Sequence, residues 1–466
     1  MHATTIDALR AELGPIVRTD DEIMQARRHD YWVVSHLRDW RGEPGATPGC
    51  VVQATSTEHV QALLRYANAH RIAVVPFGLG SGVCGGVLPN DDVVLLDLST
   101  LSATRFVDET NLLASFDAGK NGLEAEHEVA ARGLTIGHWP QSIAVSSVGG
   151  WVSTRASGQF STAYGNIEDI VYAIEAVLPD GEIVRLGKAP RAAAGPDLRH
   201  VFLGAEGRMG VVTGVTFSLR RAPEQRSYSA FYAESMSQGI EAQRQIIQAD
   251  WRPPVMRQYD HPEVRRNFRD HVDGESALLL MMHEGPAGRV AAELEAIARI
   301  ATAAGLRAAP AEVGEIWMER RNHVVEWREF FEMGIVVDTI EISASWSRID
   351  AIYDDAITSL RDAAGVINAS AHSSHAYRSG VNLYFSFAVR CDAEEMEASY
   401  FDCWRRVMEA TVRHGGGVAH HHGAGRLRKR WIEHDLGAGG VELLRTIQRA
   451  VDPAGIMNPG NLIPDA

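Results

Sequence analysis

The sequence predicts an α+β protein built as two lobes. Three observations lead there: a glycine-dense turn between two short β runs in the first half, long amphipathic helices alternating with strands from about residue 224, and a hydrophobic content of 45% in 466 residues, enough for more than one core. Residues 1–43 read as a polar helical arm that ends near Trp32 and Trp40. A first lobe over 44–223, a second over 224–415 and a helical tail over 416–466 that closes on the first lobe complete the predicted organisation.

The elements follow from spacing. Ser56 or Thr57 can cap a helix whose apolar positions Val60, Leu63, Leu64 and Ala67 recur at i, i+3, i+4 and i+7, with Glu58 favourable near its positive end. A β run over 72–75 leads into the turn Pro76-Phe77-Gly78-Leu79-Gly80-Ser81-Gly82-Val83-Cys84-Gly85-Gly86, and a buried-type strand follows over 93–98. Strand or loop signals over 112–116, 133–138, 170–184 and 211–219 fill the rest of the first lobe, and Pro223 marks its exit. Beyond it, helical periodicity over 240–249, 290–304 and 348–364 alternates with strands over 277–282, 336–343 and 381–389. That alternation fits a sheet of four or more strands covered by helices. The tail over 423–462 reads as helical and ends in a Pro/Gly-rich turn.

Composition narrows the partners. A net charge of −15 repels phosphate backbones and anionic headgroups, so nucleic acid is not expected. Cys50, Cys84, Cys391 and Cys403 are widely spaced without a CxxC pair, which indicates neither a zinc site nor a disulfide framework. No apolar run approaches the ~20 residues that cross a bilayer. The sequence carries no export signal and no peroxisomal tripeptide, and a cytoplasmic homodimer acting on a small molecule is expected.

The glycine turn has a chemical use. A diphosphate is held by several backbone N–H groups at once, and the close approach and positive φ this requires come cheaply only from glycine. Gly78, Gly80, Gly82, Gly85 and Gly86 supply that freedom, although the pattern is neither GxGxxG nor GxxxxGK[ST] and a flexible turn would also explain it. Further small-residue segments make a ligand wall the stronger reading. They are 137–142, ending in Gln141 and Ser142, then 146–158, then 164–169 with Asn166, and 204–212.

At these residues the chain resembles the vanillyl-alcohol oxidase, or p-cresol methylhydroxylase-type, FAD-binding flavoproteins, and within them the alkyl-dihydroxyacetonephosphate synthases. The likeness spans about 44–462 and is most specific over 148–158, 164–169, 341–346 and 420–429. It implies the two-lobed FAD-binding fold of that family with an α+β substrate (cap) domain, and FAD held without a covalent bond. The implied cofactor contacts are Pro76, Phe77, Gly78, Leu79, Gly80, Ser81 and Gly82 for the diphosphate. Gln141, Ser142, Ser146, Ser147, Gly149, Gly150, Thr154, Ser157, Asn166, Glu206, Gly207, Gly210, Val211 and Val212 are implied for the flavin and its ribityl chain, with Asn458 in the closing turn. Leu79 and Gly82 stand where the family has a glycine and a hydroxyl residue.

The resemblance further implies chemistry at the flavin N5 on a ketone- or alcohol-type, lipid-like substrate, with Tyr384 and His420, His421 and His422 as the catalytic groups. Arg257 falls near the substrate, and His372 falls where a phosphate-gripping arginine would stand. Read from residues alone, a strand tyrosine such as Tyr384 is by default a packing residue. Three adjacent histidines on a regular element cannot all face one way, so at most two are expected in a site. Their pKa near 6.5 suits proton transfer, and no carboxylate or cysteine flanks them at metal-ligand spacing, so no metal is expected. His372, His375, Tyr377 and Arg378 form a polar cluster that would line the pocket or lie in solvent, and Cys84 reads as a small buried hydrophobe rather than a flavin link. A FAD-linked oxidase or dehydrogenase of a 2-hydroxy acid, and a redox-silent FAD-binding subunit, are the alternatives.

Overall fold

The computed structural model describes residues 1–464. Ser56 is the cap of the helix Thr57–His70: its side chain accepts the His59 N–H, and Val60, Leu63, Leu64 and Ala67 are buried. This helix covers a four-stranded sheet in which Cys50–Gln53, Val94–Asp97 and Val74–Phe77 run parallel. The glycine turn joins the last two strands without a helix. A second, antiparallel sheet has the order 104–108, 113–117, 211–218, 171–177, 183–186, so the expected single run over 170–184 is a hairpin. The stretch over 133–138 contributes only Leu134–Thr135 as strand, and 148–154, expected as loop wall, is a helix capped by Ser147.

The second half builds one seven-stranded antiparallel sheet in the order 307–309, 225–233, 277–285, 255–259, 366–373, 380–390, 335–345. Helices Met236–Gln248, Ala287–Ala303, Trp346–Arg361 and Met396–Arg413 bury their apolar sides in the surrounding cores. Strand alternation sends Leu383, Phe385 and Phe387 of Gly380–Arg390 into the core and leaves Tyr384 and Ser386 on the other face.

Both chain ends tie the halves together. Leu9 and Leu13 join the core of the parallel sheet, whereas Trp32, Val33, Val34 and Leu37 join the core of the seven-stranded sheet. The arm therefore spans both lobes. At the other end, Val74 donates to the Ile456 carbonyl at 2.8 Å and accepts from Asn458 N–H at 2.9 Å, which sets the tail against the strand that feeds the glycine turn. Among the described residues no helix is long and apolar enough to cross a membrane.

Candidate active site

Strand register assembles the centre. Glu341 pairs with Tyr384, Tyr384 with His372, and His372 with Tyr259, so four adjacent strands place these residues in one cross-strand row. Directly opposed side chains on one face are neighbours. The His372 ring accordingly stacks on Tyr384 at 4.9 Å and 12°, and on Tyr259 at 5.2 Å and 30°. Beneath it, buried Glu263 holds His372 Nδ1 at 3.0 Å and receives Arg266 at 2.7 Å and Ser386 at 2.8 Å. Burial works to raise the Glu263 pKa, but the His372 ring, Arg266 and Ser386 outweigh it and hold the carboxyl below its usual range.

The histidine run is delivered to this row by one buried carboxylate. Gly417 and Ser343 exchange backbone hydrogen bonds of 2.7 and 3.2 Å, which starts the loop two residues from Glu341. Glu341 then accepts the backbone N–H groups of His420 at 3.2 Å, His421 at 3.1 Å and His422 at 2.7 Å. Arg428, itself fully buried, donates to Glu341 at 2.5 Å and lies 5.0 Å from the Trp404 ring. Burial would raise the Glu341 pKa, and Arg428, with the His422 ring and N–H, reverses that.

All three histidines enter the cluster, against the expectation of two. The run forms an irregular loop, so the facing rule for strands and helices does not bind it. Tyr384 Oη hydrogen-bonds His421 Nε2 and lies 3.4 Å from His422 Nε2. His420 turns the other way: its Nε2 meets Tyr377 Oη at 2.6 Å and its Nδ1 meets His421 Nδ1 at 2.6 Å. His375 stacks on His420 at 5.1 Å and bonds Ser161 at 2.6 Å and Ser157 at 3.2 Å. His375, His420 and His421 bring ring nitrogens within 4.8 Å of one another, a grouping that sequence spacing did not reveal. The nitrogens described above already have hydrogen-bond partners in Ser161, Ser157, Tyr377, Tyr384 or each other.

Burial sets the protonation here. It pushes the Tyr384 and Tyr377 phenols well up, so both stay neutral. It pushes His420 and His422 down to about 4, and His421 and His375 well below their ordinary value. An exposed imidazole in the unfolded chain titrates near ~6.5, so unfolding takes up protons between the two values and these rings make stability fall with pH through that window. Asp30, Asp260 and Asp338, raised by burial to about 7, 7 and 6, act in the opposite direction. The histidine contribution is therefore read as a difference. The His420→Gln protein is expected to gain thermal midpoint relative to wild type as pH drops from 6.5 toward 4.5, and a constant offset across that range would refute it.

The glycine turn belongs to the first lobe and meets the loop that follows the histidine run at Cys84. Gly80 has φ +74°, and a Cβ there would meet the Phe77 ring at 2.7 Å, so only glycine fits without a shift. Gly78 lies against Ser147, and Gly207 lies against the Pro76 ring. Within the half-buried turn, the N–H groups of residues 78–82 donate to no acceptor among the described residues, a cradle of donors suited to an oxygen-rich anion. The arm supports it from behind: Asp30 accepts Gly86 N–H at 2.7 Å, and Tyr31 N–H donates to the Gly82 carbonyl at 2.7 Å. Cys84 is buried, its thiol is pushed well up by burial, and its carbonyl accepts Arg426 and Leu427 N–H at 3.0 and 3.1 Å. The histidine loop is thus keyed to the glycine turn as well as to Glu341.

Two domain families match this chain: an FAD binding domain over residues 48–187 and the C-terminal domain of FAD linked oxidases over 222–462. The chain belongs to the FAD-linked oxidase family. It is 35% identical over 434 residues to an uncharacterised FAD-linked oxidoreductase, YgcU, of Escherichia coli O157:H7, covering 90% of this chain and 89% of the relative. It is 27% identical over 458 residues to the alkyldihydroxyacetonephosphate synthase of Dictyostelium discoideum, covering 91% and 74%. Among solved structures, p-cresol methylhydroxylase with substrate bound superposes with a TM-score of 0.78 at 16% identity, covering 99% of this chain and 96% of that one. The chain is thus an FAD-dependent enzyme of the oxidoreductase and synthase kind, with the two-lobed fold that its small-residue segments predict.

Some predicted site residues point elsewhere. Arg378 is 67% exposed and paired with Asp250, outside the cluster, because its neighbour Tyr377 takes the inward position. The Ser146 hydroxyl accepts Trp151 Nε1 at 2.8 Å, and Val211 and Val212 bury their side chains in the sheet cores. Gln141 reaches across to the His323 carbonyl at 2.6 Å. The Glu206 carboxylate receives Ala424 N–H at 2.6 Å and Gly425 N–H at 2.9 Å, and so clamps the histidine loop to the first lobe. Glu341, Arg428 and Glu263 join the site only through the fold. Glu341 carries one local signal, a charged residue inside the apolar run Ile340-Glu341-Ile342, which requires a buried partner, whereas Arg428 and Glu263 lie among polar and charged neighbours and carry none.

Proposed function

We propose that this flavoprotein holds FAD without a covalent bond and uses Tyr384 with His421 as an acid–base pair on an organic substrate, in the manner of the alkyl-dihydroxyacetonephosphate synthases. The single observation that carries this reading is the Tyr384–His421 hydrogen bond, set in a cross-strand row by register and pinned from behind by Glu341. The backbone of Pro76, Gly78, Gly80 and Gly82, with Ser147, Thr154, Ser157, Asn166, Gly207 and Asn458, would hold the cofactor. Bound flavin supplies an electron-accepting ring beside the substrate carbon. The buried, protonated Cys84 supports a non-covalent mode, since a thiol so raised is a poor nucleophile. Four free cysteines accord with a cytoplasmic protein, which we take to be a homodimer.

Arg257 is the substrate anchor in this reading. Its Nε donates to Tyr259 Oη at 2.7 Å, its guanidinium lies 5.3 Å from the Trp317 ring, and its terminal nitrogens meet no carboxylate among the described residues. Those N–H groups suit an anionic substrate group. A second reading, oxidation of a 2-hydroxy acid, draws on His372: held by Glu263 where the resemblance places a phosphate-gripping arginine, it puts an imidazole in place of the guanidinium that a phosphate would pair with. Anaerobic mixing separates them. Bleaching of the yellow protein by glycolate or D-lactate establishes oxidation. Exchange of an acyl group for a fatty alcohol on acyl-dihydroxyacetone phosphate, with no acceptor consumed, establishes the synthase reaction. A purified protein that is colourless and takes up no added FAD sinks both.

A further inference from the structure

Four groups, starting from Tyr384 in the cross-strand row, form one continuous hydrogen-bonded file. Tyr384 Oη meets His421 Nε2, His421 Nδ1 meets His420 Nδ1 at 2.6 Å, and His420 Nε2 meets Tyr377 Oη at 2.6 Å. Tyr377 Oη in turn lies 3.2 Å from both Oδ1 and Nδ2 of Asn166, whose Oδ1 receives Ser157 at 2.5 Å. The file therefore begins on the seven-stranded sheet and ends on the first-lobe wall that the proposed function assigns to the cofactor.

We propose that Tyr384, His421, His420 and Tyr377 are a proton wire, which makes His420 and Tyr377 relay groups for the proton that Tyr384 exchanges with substrate. It rests on the acid–base role of Tyr384 given above. Two nitrogens 2.6 Å apart hold one proton between them, since two N–H groups would collide and two lone pairs would repel. That one proton fixes opposite roles on the two rings and leaves two complete arrangements. In one, the Tyr384 O–H donates to His421, His421 Nδ1–H donates to His420, His420 Nε2–H donates to Tyr377, and the Tyr377 O–H donates to Asn166 Oδ1. In the other, every donor is an acceptor. As Tyr384 takes a proton from substrate on Oη, its own proton passes to His421 Nε2. His421 then gives Nδ1–H to His420, and His420 gives Nε2–H to Tyr377, whose hydroxyl proton passes to solvent water at the half-buried Tyr377–Asn166 end, the neutral Asn166 amide only orienting that hydroxyl. With water as the final acceptor, one bond to hydrogen forms for each that breaks, and no ring carries a lasting charge. The neutral rings favoured by burial fit that requirement.

A satisfied buried cluster would look alike at rest, but it would be frozen. Nitrogen-15 NMR of the histidine-labelled holoenzyme distinguishes them without a substrate. The wire predicts one proton coupled to two histidine Nδ1 nuclei, with the His420 and His421 Nδ1 resonances both lying between the protonated and bare-nitrogen positions, because the two arrangements interchange as water gives a proton at one end of the file and takes one at the other. In Tyr377→Phe one end is lost, and His421, whose own contacts are untouched, should move to a single fixed tautomer. His420→Gln breaks the file in the middle and reads the same if Tyr377→Phe loses its flavin. Pure, unexchanging His421 resonances in wild type that do not change in either variant would overturn the proposal, as would one equivalent of zinc retained on these nitrogens. Failure of the acid–base reading itself shows separately, as full turnover by Tyr384→Phe.

Discussion

Tyr384→Phe is expected to lower turnover by about 10²–10⁴-fold, the range for loss of a positioned proton-transfer group, while the protein stays yellow. The substitution removes one oxygen and leaves the ring, so the stack on His372 at 4.9 Å and the packing of the strand persist. What disappears is the hydrogen bond to His421 and the approach to His422. The size of the effect follows from protonation. A phenol raised by burial is neutral and cannot act as a free phenolate; it works only by giving its proton to an adjacent base as it accepts another. His421, neutral for the same reason, is that base. Phenylalanine keeps the shape and abolishes the exchange, so kcat should fall with little change in KM. The check is single-turnover flavin reduction or acyl exchange by wild type and variant at equal flavin content. A variant within threefold of wild type would remove Tyr384 from the chemistry.

The parts of this site that sequence reveals are those specified locally. The glycine turn is legible because a backbone that must approach an anion excludes side chains, and the cap at Ser56 because a hydroxyl next to a helix start has one use. Tyr384 and the histidine run are visible as residue types, through the family likeness, but their meeting is not. It depends on the register that opposes Glu341, Tyr384 and His372 on three strands, and a one-residue slip would turn each to the other face. Tyr377 and Arg378 lie in the turn between the strands Val366–Ser373 and Gly380–Arg390, where no alternation rule tells the inward residue from the outward one, and only the fold shows that Tyr377 meets His420 while Arg378 pairs with Asp250. The joining of the arm to the far core at Trp32 is a tertiary choice among several apolar surfaces, and nothing in the local pattern selects it.

The Glu341–Arg428 pair, 87 residues apart in sequence, is where the next largest effect is expected. Arg428→Met keeps the volume beside Trp404 but leaves a carboxylate that is wholly buried, with three backbone N–H groups as its remaining partners. Removing one member of a buried pair costs about 3–5 kcal/mol because the other charge stays uncompensated. Glu341→Gln should cost a similar amount, since Arg428 Nε and Nη2 already lack acceptors and its charge would lose its counterion. The double variant removes both charges and leaves a neutral amide under the loop. Its cost should fall short of the sum of the two by about 2 kcal/mol or more, the coupling of a contacting pair. Stability and activity should then part. The amide introduced by Glu341→Gln offers one carbonyl oxygen where the carboxylate offered two, so it cannot hold His420, His421 and His422 together. The double variant is expected to show a denaturation midpoint above the one that the two single losses would give if added, and to remain impaired in turnover. Additive costs would mean that Arg428 and Glu341 do not compensate each other. Recovered activity alongside that higher midpoint would mean that the carboxylate serves the fold and that the histidines find their places without it.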